Sequence, residues 1–501
     1  MMTTYWRRAL LLLLAAGLAV RTSATSRNSA CAQLVATFPD YTTVTGSESY
    51  TTKIDSVWSK TCVEDAYCVF EPESSKDVST AIGILRRTQT KFAVRSGGHM
   101  PNPGANSISK GVLISLTRLN ALGLTANHEV VHIGPGLRWF DVYTWLADYN
   151  LTTAGGRFGP VGVGGLLLGG GINYYGSKFG WSTNNVINFE VVLADGRIVQ
   201  ANTSSNTDLY WALKGGSQNF GIVTRYDMKT FAIQNVWGGT LAYSATSLDA
   251  YIHAVANFSS REGGSADPLA AADPLLLMYP NTSQIVPAAV LLYSAPIAQP
   301  AALKAFTDIP AASDSASLRT FTDFVVEQNS SSYWDRSDRR SFWATAVKAT
   351  PEAVYLTNTT FIQAAMEQVS DLSDLLTSIT YQTITEDWVK AARASGGDAI
   401  DLDPTDGGFL VLLISNTWTN AEHDSRITQF SEKVIAEIES KAKAADVYYP
   451  FVNLNDAGPS QAPFETYGKG QSLSKLKSIR KKYDPSGVFQ TLSPGGFKLG
   501  L

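Results

Sequence analysis

Short apolar runs with the two-residue alternation of strands are interleaved, in the first half of the chain, with stretches where apolar residues recur every three or four positions. Residues 69–72 read as a strand stopped by Pro72, and Ser75 to Val78 can cap a helix carrying Val78, Ile82, Ile84 and Leu85. Thr88 and Thr90 end that helix before a strand over 92–94. Further strands are predicted at 111–116 and 130–133, then the turn Gly134-Pro135-Gly136 and a helix over 138–149. Upstream, 31–38 suits a short amphipathic helix, and 47–59 reads as extended and polar. Downstream, a strand over 186–193 turns at Asp195-Gly196 into 197–200. A short helix from Asp208 and an extended run over 220–224 follow.

From Trp237 the texture changes. Long helical stretches such as 432–444 alternate with β-type runs such as 288–293 and 409–414, the pattern of one antiparallel sheet with helices on one face. The expected class is therefore α+β. The expected divisions are a leader over 1–24, an N-terminal segment over 25–63, a first domain over 64–233, a second over 234–443 and a C-terminal element over 444–501. That last element carries Tyr483-Asp484-Pro485 and Val488-Phe489-Gln490, a proline-stopped helix end with an aromatic anchor, and should dock on the first domain.

Length supports this division, because 501 residues exceed what one core normally fills. A net charge of −4 offers no footprint for nucleic acid or an anionic membrane, so neither is expected as a partner. Arg7-Arg8 ahead of the apolar run 9–20, with small residues to Ala24, reads as a cleaved signal peptide too short for a comfortable membrane span. Sequons at Asn150, Asn202, Asn257, Asn281, Asn329 and Asn358 agree with secretion and glycosylation. The cysteines, Cys31, Cys62 and Cys68, allow one disulfide whose pairing the sequence leaves open, and no Cys/His spacing suggests a metal.

Two stretches concentrate the chemistry. Phe92-Ala93-Val94-Arg95-Ser96-Gly97-Gly98-His99 is an apolar strand ending in two glycines and a histidine. Residues 162–171 hold Gly162, Gly164, Gly165, Gly169, Gly170 and Gly171, too many glycines for an ordinary core strand or helix. Glycines this dense let backbone N–H groups approach a ligand, and pyrophosphate is the commonest ligand of that kind. The register departs from the dinucleotide fingerprint, which needs a strand leading directly into a helix and an acidic residue about twenty positions on. A long, backbone-rich loop is expected instead.

Taken with Gly155-Gly156, residues 211–216 (Trp-Ala-Leu-Lys-Gly-Gly), 219–223 (Asn-Phe-Gly-Ile-Val) and the tail, these loops resemble the FAD-binding domain (PCMH-type) of the vanillyl-alcohol-oxidase and berberine-bridge-enzyme-like flavoproteins, in their fungal branch. The resemblance covers most of 68–231 and 448–499. It implies that FAD is bound through one covalent bond from His99 to the flavin 8α-methyl group, with Arg95, Ser96, Gly97 and Gly98 wrapping the pyrophosphate. It also places Gly162, Gly164, Gly165, Gly169, Gly170, Asn185, Gly221, Val223 and Asn455 at the cofactor.

Two departures qualify what is carried over. Relatives with two covalent links have a cysteine where this chain has Phe158, and all three cysteines here are remote in sequence. A single link is expected. Relatives often place a tyrosine after the asparagine of a Leu-Asn-Tyr motif, where this chain has Leu454-Asn455-Asp456. Asp456 is the candidate base, with Tyr448 and Tyr174 as alternatives, and an Asx-type turn at 456–458 is the structural reading of the same residues. The expected activity is hydride removal from a small-molecule substrate, a secondary metabolite, with molecular oxygen as acceptor and hydrogen peroxide as product. A carbohydrate oxidase, or a secreted flavin-binding glycoprotein without turnover, are the alternatives.

Overall fold

The computed structural model describes residues 30–329 and 337–501. The expected leader and cleavage site fall outside the described residues. Three larger sheets, beside a two-stranded one, organise the described residues. In the first, Thr42–Val44 pairs antiparallel with Cys68–Phe70, and Cys68–Phe70 and Phe92–Arg95 both pair parallel with Val112–Ser115, which lies between them. The helix Ser75–Thr88 joins the two flanking strands. Its start is a capping box in which Ser74 accepts from the Asp77 N–H while the Asp77 carboxylate takes the Ser74 N–H, satisfying two end donors at once. The strand-helix-strand unit expected from periodicity is present, but its central slot is filled by a strand that comes later in the chain.

The second sheet is five-stranded and antiparallel, in the order Leu122–Leu124, Val130–Ile133, Ile222–Lys229, Val186–Val192 and Ile198–Asn202. The third has eight antiparallel strands, five of which run in the order Gln284–Tyr293, Ala270–Tyr279, Leu376–Ile384, Phe409–Trp418 and Arg339–Lys348, the last at the sheet's edge. Strand parity explains how it is covered on both sides. Ala289, Leu291, Leu410 and Leu412 pack with the helices Leu248–Ser259, Pro351–Val369 and Asp424–Ala444. Their neighbours Val290, Leu292, Phe409 and Val411 point the other way and join the core of the glycine-rich half. One face therefore carries helices and the other faces the flavin-type loops.

Two local expectations differ from what forms. The segment read as extended contains the helix Tyr50–Ile54, whose Tyr50 and Ile54 are buried. The glycine-dense loop contains the six-residue helix Val163–Leu168, because burial of Val163 and Leu167 outweighs the low helix propensity of Gly164 and Gly165.

Cys31, in a helix over 30–37, is bonded to Cys68 on the first sheet, and Cys62 is the buried thiol left over. The bond ties the N-terminal helix to the sheet across 37 residues. By the chain-entropy model, Cys31→Ser should cost about 3–4 kcal/mol, read as a lower unfolding midpoint in urea.

The C-terminal element, with its helix Ser472–Tyr483, returns to the first sheet. Asp484 accepts the N–H groups of Val488 and Phe489, both at 2.8 Å, and so presents Phe489 edge-on to Phe92. The Phe92 N–H donates to the Leu492 carbonyl.

Candidate active site

The two glycine stretches meet backbone to backbone. A Cβ on Gly97 would lie 2.4 Å from the Gly162 Cα, and one on Gly162 equally close to Gly97, so neither position admits a side chain. Gly98 has φ +67°, which lets the chain turn into His99 at the C-terminal end of the strand Phe92–Arg95. Ser96 bridges the contact: its hydroxyl donates to the Pro135 carbonyl and accepts the Gly164 N–H at 3.2 Å. Gly165 has open space where a side chain would be. Asn455, from the C-terminal element, clamps the short helix, donating to the Gly165 carbonyl at 3.1 Å and accepting the Gly171 N–H at 3.2 Å.

These loops form one wall of an open cleft spanning about 1660 Å³, part of it continuous with solvent. The facing wall comes from the eight-stranded sheet, through Phe342, Gln382 and Leu413, and from Asn453 to Asp456. Ser96, Gly97, Gly98, His99, Gly162, Gly164, Gly165, Gly221, Val223, Asn455 and Asp456 all line it.

Other expected residues are placed elsewhere. Arg95 is buried in the scaffold, donating to the carbonyls of Asn106 at 2.9 Å and Lys53 at 2.7 Å, so it braces the loop from behind. Asn185 turns to the carbonyls of Phe179 and Trp181. Gly169 and Gly170 pack against Asn455 and Ile400 respectively. Tyr448 packs on the helix-bearing side of the eight-stranded sheet, under the Lys443 ammonium, which removes it from the site. Tyr174 lines a smaller chamber beyond Arg157 and Gln382, and burial pushes its phenol well above the ordinary range, which makes it a poor base.

Asp456 sits at the centre of a buried network that the sequence reading did not foresee. Its Oδ2 accepts from Gln382 at 2.8 Å and from Asn453 at 2.7 Å, and no hydrogen bond among the described residues reaches Oδ1. Gln382 in turn accepts from Arg157, which is paired with Asp273. Asp456 is 8% exposed and Asp273 3% exposed. Burial raises the pKa of both carboxyls, against the pull of the Arg157 charge and their hydrogen bonds. The arrangement holds one carboxylate oxygen and leaves the other without a hydrogen bond among the described residues, on a side chain that lines the cleft. The only sequence signals were an arginine directly after Gly155-Gly156 and a lone glutamine in the strand Leu376–Ile384.

Cys62 is also closer than its sequence position suggests. Its thiol lies 3.5 Å from the carbonyl of Met100, next to His99. It does not line the cleft, and burial pushes it up to about 12, so it is protonated and inert.

A family model for the FAD binding domain matches residues 66–202. The FAD-dependent monooxygenase prx3 of Penicillium roqueforti is 44% identical over 488 residues, covering 94% of each chain. The bifunctional solanapyrone synthase of Alternaria solani is 33% identical, covering 89% of this chain and 84% of its own. Among solved structures, the xylooligosaccharide oxidase of Myceliophthora thermophila, in complex with xylobiose, superposes with a TM-score of 0.75 at 19% identity, covering 94% of this chain and 99% of its own.

Proposed function

The chain belongs to the FAD-linked oxidoreductases of the vanillyl-alcohol-oxidase and berberine-bridge-enzyme-like family, and from that premise we propose that it oxidises an apolar, hydroxyl-bearing secondary metabolite with Asp456 as the base. The observation that carries the proposal is a buried carboxylate on the cleft lining, one oxygen of which is held by Gln382 and Asn453 while the other has no hydrogen bond among the described residues.

The cleft suits FAD by its own features. The bare surface at Gly165 and the Gly97–Gly162 contact make a cradle that a Cβ would disrupt, and the buried Oδ1 atoms of Asn106 and Asn453, both on cleft-lining residues, have no partner among the described residues. When bound, the flavin supplies a two-electron sink for hydride from a substrate carbon. Asp456 Oδ1 takes the proton from the substrate hydroxyl, while Gln382 and Asn453 keep its carboxylate from rotating. Arg157, held by Asp273, fixes Gln382. Phe342, Leu413, Leu166 and Leu168 exclude water from the reacting centre.

This apolar wall favours a phenolic or polyketide-type substrate over a sugar, whose hydroxyls would each need a partner. The relatives named as a monooxygenase and as solanapyrone synthase are not named for sugars. The test is anaerobic bleaching of the purified yellow protein against a panel of oligosaccharides and of phenolic and polyketide alcohols. Bleaching by the alcohols, with one peroxide formed per product in air, is expected. Bleaching by sugars alone would overturn the substrate class, and oxygen incorporated into product would overturn the oxidase outcome.

The protein is further proposed to be secreted, on the leader-like N-terminus and the sequons. No helix among the described residues is long and apolar enough to cross a membrane. Asn150, Asn257 and Asn281 are exposed, whereas Asn358 is buried on the helix Pro351–Val369. Glycopeptide mass spectrometry of secreted protein should find glycan at the three exposed sites and bare Asn358.

A further inference from the structure

Trp58 belongs to the N-terminal segment and carries no recognisable motif, yet it is built into the surroundings of His99. Its N–H donates to the Gly98 carbonyl at 2.9 Å, and its indole stacks on the imidazole with ring centroids 4.0 Å apart and planes 25° apart. Arg340, on the strand Arg339–Lys348 and 0% exposed, sets its guanidinium carbon 4.8 Å from the same indole. That guanidinium donates to the Trp58 carbonyl at 2.8 Å and to Asp338 at 2.9 Å. Ser59 accepts the Arg340 N–H at 2.7 Å and donates back to its carbonyl at 3.2 Å. Phe342 closes the cluster, 5.1 Å from Trp58 and 6.2 Å from His99.

We propose that Trp58, held by Arg340, is the positioning residue that fixes the plane of the His99 ring for covalent attachment of the flavin. The proposal rests on His99 being the tether. An imidazole otherwise swings broadly about its second side-chain torsion, and bond formation needs its nitrogen lone pair aimed at the 8α carbon. In the net reaction a methyl C–H and an imidazole N–H are broken, a C–N bond forms, and the two electrons and two protons leave on dioxygen as hydrogen peroxide.

The electrostatics agree with the geometry. Burial, together with the nearby charges of Arg138 and Arg340, pushes His99 down to about 3, so its ring is neutral. The other charged or titratable groups around it are engaged: Asp338 with Arg340, Arg339 with Asp424, Arg95 with backbone carbonyls, and Cys62 as a protonated thiol.

The test compares Trp58→Leu and Trp58→Phe with wild type, reading total flavin in the native protein and the fraction that stays with the acid-precipitated chain. Trp58→Leu should keep its total flavin while its covalent fraction falls at least about tenfold, and Trp58→Phe, which retains a stacking face, should restore most of it. A leucine variant as covalently loaded as wild type would overturn the proposal. Parallel loss of total and covalent flavin in both variants would also overturn it, since that is the mark of a merely structural role. If the leucine variant is not secreted, Trp58→Met, unbranched and flexible, takes its place under the same criteria. Wild-type protein lacking flavin on the His99 peptide would instead sink the tether reading, a different failure.

Discussion

Asp456→Asn is expected to slow the reductive half-reaction by about 10²- to 10⁴-fold, the range a positioned general base contributes. Asparagine keeps the shape of the side chain and leaves a carbonyl oxygen to accept from Gln382 or Asn453, but it cannot take a proton. Rapid mixing with an active substrate under anaerobic conditions reads the step directly, and an unchanged rate would remove Asp456 from the mechanism. Because burial raises this carboxyl, the acid limb of kcat/KM in the wild type should lie above the ordinary aspartate range and disappear in the variant. The stability consequence has the opposite sign. A carboxyl that binds its proton more tightly folded than unfolded favours folding at low pH, and that contribution is lost as pH rises through its folded value. At neutral pH the variant should therefore melt no earlier than wild type, which separates a lost base from a damaged fold.

His99→Ala should abolish covalent attachment altogether: after acid precipitation the yellow colour should move from the pellet to the supernatant. The glycine cradle, Ser96 and Asn455 remain, so FAD should still bind reversibly. Its reduction potential should fall, because the electron-withdrawing bond to the ring is gone. Flavin still fixed to the denatured variant would place the tether on another residue. Cys62, the only described cysteine outside the disulfide, would be a poor substitute, with its thiol protonated and turned toward the Met100 carbonyl.

Phe92 to His99 could be read because its signals are local: alternation makes the strand, and the paired glycines make the close backbone approach. The same holds for the capped helix Ser75–Thr88 and for the apolar β-type runs 288–293 and 409–414 of the large sheet. The glycine density of 162–171 indicated a surface for a ligand, and Asp456 was marked by standing where relatives carry tyrosine. Arg95 shows the limit of such reading. Adjacency to the glycines suggested phosphate, but a strand sends successive side chains to opposite faces, and its guanidinium went inward to carbonyls. Tyr448 failed for a related reason, lying beyond the sheet from the cleft although only eight positions from Asp456.

Local order was thus written in residue types and their periods, which depend on neighbours a few positions away, while the flavin reading of the loops came from their resemblance to a family. The partners that give the site its chemistry depended on contacts across the fold. Asn455 meets Gly165 across 290 positions, Ser59 meets Arg340 across 281, and Gln382 meets Asp456 across 74. No periodicity encodes such meetings, because each requires two separately folded surfaces to pack, and packing alone sets which polar groups are buried together and how far their pKa values move.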